Sequence, residues 1–280
     1  MSKRDEVLTR MNSFSEHNNL LNLAVSRFRW SGLPPGLDGR MLERYILAGM
    51  AIGFNHPAAG PVILPGFWAD SLDLYGYPLA YTAFGYNYQS PSFNIAAGDA
   101  SVFYNDDSMK PFIPTINKFH NLLTSIWSTI RLNVRQQRIP WMYGGSKAEI
   151  QSIRAAVNAQ EVNPEVLFVS ENLLDNLSAG QKVFPTPTPY IAPELLMTYR
   201  QIMNQYLTLI GIDNVPIEKR ERQVTGEVEG NSAIVLANRR AAIECRQKAA
   251  ERFNELTGLS VSVDWGLEDG PTVFQVSEHE

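Results

Sequence analysis

The chain has 280 residues, with 24 Lys and Arg against 29 Asp and Glu, a formal net charge of −5, and 44% hydrophobic residues. That hydrophobic content is ordinary for a folded protein, and the negative balance argues against a simple nucleic-acid coat. The one cysteine excludes an intrachain disulfide and fits a reducing cytoplasm. No apolar run approaches the ~20 residues that span a bilayer, so no membrane association is expected. The start, Met1 to Glu6, lacks the apolar core of a secretion signal.

Charge is banded along the chain. Between Arg44 and Lys110 there is no Lys or Arg, while Asp70, Asp73, Asp99, Asp106 and Asp107 fall there. From Lys110 to Arg154 stand seven basic residues and one acid, Glu149. After Arg252 there is no Lys or Arg, while Glu255, Asp264, Glu268, Asp269, Glu278 and Glu280 follow. Such bands give a large particle regions of opposite potential.

The first predicted helix runs from Ser15 to Phe28, with Leu20, Leu21, Ala24, Val25 and Phe28 on one face. Trp30 to Gly36, rich in Gly and Pro, breaks it. A second helix carries Leu42, Tyr45, Ile46 and Met50 and fades at Gly53. From Pro57 to Tyr104 the chain is rich in Gly, Pro and aromatics, which reads as short strands and loops. Its aromatics are not interleaved with Lys or Arg, so a base-stacking surface is not expected.

Pro114 to Ile139 reads as a long amphipathic helix with Ile116, Phe119, Leu123, Ile126, Trp127, Ile130 and Val134 at three- and four-residue steps. A small αβ module follows: strand Pro140 to Tyr143, helix Lys147 to Asn158 and strand Glu165 to Ser170. A second long helix, Ala192 to Ile210, carries Leu195, Tyr199, Ile202, Met203, Tyr206 and Leu209, and Gly211 is a natural residue to end it. These helices are too long for one small core to bury, so their stripes are expected to pack on each other and on neighbouring subunits. A polar segment from Ile217 to Ser232 then leads into a long charged helix ending at Thr257 and Gly258, followed by the alternation Leu259 to Trp265.

Chemistry is sparse. His17, His56, His120 and His279 show no metal-site spacing, there is no phosphate loop, and adjacent Asp106 and Asp107 point to opposite faces of an extended chain. No metal or cofactor is expected. Cys245, mid-helix among bases, reads as a small packing residue and not a reactive thiol.

Several stretches together resemble the portal protein of small podophages with protein-primed genomes, the upper collar or head–tail connector of Picovirinae-type phages. They are Leu209-Ile210-Gly211-Ile212, Glu218 to Arg222 with Val224-Thr225, Glu227-Val228, Asn254-Glu255-Leu256 and Gly258-Leu259. Trp30 with Leu33-Pro34-Pro35, Leu42-Glu43, Gly53-Phe54, Tyr104-Asn105-Asp106 and Pro114-Thr115 add to them. The resemblance implies an α+β portal-type fold with long stem helices, a β-rich wing and a small αβ clip. It places the wing at 1–113 and 233–280, stem helices at 114–139 and 192–213, the clip at 140–191 and a tunnel loop at 214–232.

By the same resemblance the chain is a non-enzymatic virion subunit at the portal vertex, assembled in the host cytoplasm into a ring, expected to be a homododecamer. Double-stranded DNA would pass through the channel for packaging and ejection. Implied partners are the major capsid and scaffolding proteins, the packaging ATPase and a lower collar or tail protein. Lys219, Arg220, Arg222 and Thr225 are the expected channel-loop residues. Trp127, Phe119, Ile130, Tyr199, Met203 and Tyr206 are the expected subunit-interface residues of the stem. Two departures stand out. Pro185 and Glu194 occupy positions where the family carries channel bases, with Arg200 the next base beyond Glu194. The basic N-terminal tail is reduced to Lys3-Arg4, followed by Asp5-Glu6, which leaves a packaging-RNA role open. The alternatives are another ring-forming virion adaptor, which would lack a wing, and an unrelated soluble enzyme, which would need convergent titratable groups.

Overall fold

A computed structural model of the chain describes residues 3–68, 72–94, 98–137, 141–145, 151, 166–170, 189–214 and 225–267. The chain divides into two compact units: Met1–Thr124 with Arg200–Glu280, and Ser125–Tyr199. The divisions fall inside the two long helices, not at their ends.

The first unit opens with helix α1 (Lys3–Val25), strand β1 (Phe28–Ser31) and helix α2 (Gly39–Ala48). Helix α1 ends earlier than its apolar spacing suggested, and Phe28 belongs to the strand. The Arg27 guanidinium accounts for the stop, because its Nε donates to the Ala24 carbonyl at 2.9 Å and satisfies the open helix end. Helix α2 begins at Asp38, whose carboxylate accepts from the Arg40 amide, and ends at Gly49, whose N–H donates to Tyr45 and Ile46. The expected continuation to Gly53 is instead strand β2 (Ala51–His56).

Strand β2 pairs antiparallel with β3 (Gly60–Trp68) and β6 (Ser101–Phe103), and β3 continues to β4 (Tyr81–Gly85) and β5 (Tyr88–Gln89). The resulting five-stranded sheet has the order β5-β4-β3-β2-β6. Gly53 is required in β2 because a Cβ there would lie 2.5 Å from the Phe253 ring. That close approach seats Phe253, with Leu42, Ile46, Phe103 and Val261, in the main core.

Helix α3 (Ile113–Gln136) and helix α4 (Ala192–Leu209) are the two expected long helices, each within a few residues of its predicted ends. Helix α5 (Thr225–Thr257) is longer than expected. It takes in residues 225–232, which the sequence reading gave to the tunnel loop. Gly226 and Gly230 lie in these turns, and an isolated helix glycine costs only about 1 kcal/mol. Strand β9 (Ser262–Trp265) then pairs antiparallel with β1. In the second unit, β7 (Trp141–Gly145) and β8 (Val166–Ser170) form a parallel pair. The expected helix 147–158 lies, apart from residue 151, outside the described residues.

Candidate functional site

Helix α4 ends in a complete Schellman motif. The Gly211 amide donates to Thr208 at 3.1 Å and the Ile212 amide to Leu207 at 2.9 Å. Gly211 adopts φ +76°, and a Cβ on it would lie 2.9 Å from the Arg239 backbone. This close approach lets α5 clamp the end of α4. Asn238 Nδ2 donates to the Thr208 carbonyl at 2.9 Å, and Arg239 Nε donates to the Gly211 carbonyl at 3.1 Å. Arg239 also pairs with Asp213 at 3.0 Å and stacks 4.3 Å from the Trp265 ring centroid. The clamp ends at Asp213, just before the expected tunnel loop. Lys219, Arg220 and Arg222 lie outside the described residues; Thr225 is the first residue of α5.

The six expected stem residues differ in exposure. Phe119, Ile130 and Tyr206 are buried by their own chain. Phe119 packs on Tyr206 at a 5.2 Å ring distance, and the Tyr206 hydroxyl donates to the Leu20 carbonyl at 2.7 Å. Burial pushes that phenol well above its ordinary titration range, with Arg27 opposing. Tyr199 and Met203 are half-buried. Trp127 keeps 44% of its surface while its ring meets Tyr199 at 5.4 Å. Within the second unit Leu132, Val134, Leu196 and Met197 also remain exposed. Asn133 braces that unit, donating to the Pro189 carbonyl at 2.8 Å and accepting from the Ile191 amide at 3.1 Å.

Sequence reasoning did not foresee the buried polar lock of the first unit. Arg246 and Glu43 form a bidentate ion pair, both side chains fully buried. Arg246 also donates to the carbonyls of Asn105 and Ala242, and its guanidinium lies 4.1 Å from the Phe28 ring centroid. Trp30 Nε1 donates to Glu43 Oε1 at 2.9 Å. Arg27 donates to the Ile210 carbonyl and to Asn105 Oδ1, each at 3.1 Å. Burial first, then the neighbouring Arg246 charge, lowers the Arg27 pKa to about 10. This lock ties α1, α2, α5 and the end of α4 together. Its available signal lay in the charged Glu43 and Arg246 set among apolar helix positions.

The remaining titratable groups are dispersed. His17 and His120, expected to stand alone, meet edge to face at 5.4 Å, and His17 contacts Asn117 Oδ1 at 3.1 Å. His56 Nδ1 accepts from the Ala58 and Ala59 amides. The Cys245 thiol donates to Asp107 at 3.3 Å, and burial, then this bond, pushes it up to about 12, which makes it a poor nucleophile. Among the described residues no group of three or more His, Cys, Asp or Glu could hold a metal ion, and no helix is long and apolar enough to cross a membrane.

The family model described as Phage Connector (GP10) matches residues 4–268. Among solved structures, a chain of the portal and tail of native bacteriophage P68 aligns with a TM-score of 0.44 and 11% identity, over 97% of this chain and 93% of that one. Because that match covers nearly the whole chain, the chain belongs to the phage connector family.

Proposed function

We propose that this chain closes into a dodecameric ring whose stem lines a channel for double-stranded DNA. As a phage connector it is a head–tail connector subunit, a ring-forming virion part that joins capsid to tail. The observation that carries the ring geometry is the exposed apolar surface that α3 and α4 retain after packing on each other. Trp127, Leu132, Leu196 and Met197 are the residues left for a neighbour. A heterologous contact between such faces closes into a ring when its rotation permits.

In this reading the buried lock makes each wing rigid, and the α4–α5 clamp roots the loop that carries Lys219, Arg220 and Arg222. Those bases alternate with Glu218 and Glu221, so the loop touches phosphates without gripping them. DNA that must slide needs such weak contacts. The role is structural and not catalytic. The proposed partners are the major capsid and scaffolding proteins around the wing, the packaging ATPase during filling and a lower collar protein afterwards, with assembly in the host cytoplasm. Negative-stain imaging of the purified chain tests this: closed rings with a hole wide enough for duplex DNA are expected, and monomers or open filaments contradict it.

A further inference from the structure

The connection from β3 to β4 ends in a braced turn. The Asp73 carboxylate accepts from the amides of Tyr75 and Tyr77, both at 2.8 Å, and the Asp73 amide donates to the Tyr77 carbonyl at 2.8 Å. Gly76, at φ +85°, completes the bend. The turn holds Leu74 fully exposed and Tyr75 at 87% exposure. Two large apolar side chains held in water by a preformed turn are a knob that no described residue covers.

Beside the knob lies a groove of about 580 Å³ between this connection and α5. Tyr77 and Leu79 form one lip and Lys248 and Arg252 the other, with Tyr104 and Met109 among the lining residues. Three carboxylates, Asp73, Asp106 and Asp107, border it against those two cations. No Lys or Arg between Arg44 and Lys110 offsets the acids on the knob side.

We propose that knob and groove together dock a basic, amphipathic segment of another protein. Charge complementarity sets the sign of the partner, and the apolar lip and knob require that it present an apolar face. A second copy of this chain in the groove is the competing occupant, and the native mass of the variants separates the two. The preformed turn reduces the ordering cost of binding.

The test uses the purified full chain and two labelled synthetic peptides, an amphipathic Leu/Lys helix and its Leu/Glu counterpart, read by fluorescence anisotropy. The Leu/Lys peptide is expected to bind more tightly by tenfold or more. Leu74→Ser with Tyr75→Ser removes the central apolar anchors without adding charge and is expected to weaken it about tenfold. Tyr75→Ser alone is expected to weaken it less. Native mass, read separately on each variant, distinguishes lost docking from lost assembly. Equal binding of the two peptides overturns the proposal, as does binding that ignores both variants. Rings that fall apart in the double variant would make the knob a subunit contact. Knob-dependent binding to phosphatidylcholine vesicles in place of peptide would make it a lipid contact.

Discussion

Arg246 donates to both carboxylate oxygens of Glu43 at 2.8 Å, and neither side chain reaches solvent. Removing one partner strands the other as an uncompensated buried charge. Glu43→Gln is therefore expected to destabilise the subunit by about 3–5 kcal/mol in chemical denaturation. Replacing both by apolar residues, Glu43→Leu with Arg246→Met, should recover much of that loss. A single-variant loss below about 1 kcal/mol, the range of an exposed ion pair, would show the lock to be solvated.

Tyr206 and Trp127 should respond differently, because one is internal and the other faces outward. Tyr206→Phe removes the bond to Leu20 and should cost about 1 kcal/mol of subunit stability with assembly intact. Trp127→Asp should leave a folded subunit by circular dichroism and abolish rings by native mass spectrometry, since assembly would bury a carboxylate. Rings that persist in Trp127→Asp would take this face out of the interface.

The charged loop should serve DNA and not assembly. With Lys219, Arg220 and Arg222 changed to Ala, rings should form normally. Each phosphate neutralised contributes about −0.9 to the log–log salt slope of duplex binding. The wild-type slope should therefore be shallow, the triple variant flatter still, and no sequence preference detectable. Because α5 begins at Thr225, a loop deletion belongs within 215–224; removing Val224 to Gly230 would cut into the helix. A steep slope or a sequence-specific footprint would contradict a sliding channel.

The His17–His120 contact gives the first unit an acid response. Burial first, then the facing His17, lowers the His120 pKa from its ordinary 6.5, while Glu16 opposes. A base with a depressed folded pKa binds fewer protons folded than unfolded. Stability is then unaffected well above 6.5 and falls as pH drops through 6.5 toward the lower folded value. Thermal melts from pH 7.5 to 5.5 should show a decline that His120→Gln reduces, and identical declines in both proteins would contradict the coupling.

The long helices were legible because Ile116, Phe119, Leu123 and Ile130 repeat at helical spacing and Gly211 supplies the left-handed stop. Periodicity could not say which apolar residues face inward within the chain and which face a neighbour. Phe119 and Trp127 lie on one helix in one pattern, yet only Phe119 is covered. Strand β1 was missed because Phe28 fits either period, and the Arg27 guanidinium that caps α1 at Ala24 is held by Ile210 and Asn105, far along the chain. The lock was half visible. Trp30, Glu43 and Asn105 were among the residues that carried the family resemblance, but the bonds of Arg246 to Glu43 and Asn105, and of Trp30 to Glu43, exist only in three dimensions.

The native mass of the purified full-length chain tests the central claim most directly. The ring account predicts a closed species near twelve times the 31.4 kDa subunit mass, stable on dilution. A monomer at 31.4 kDa would contradict it.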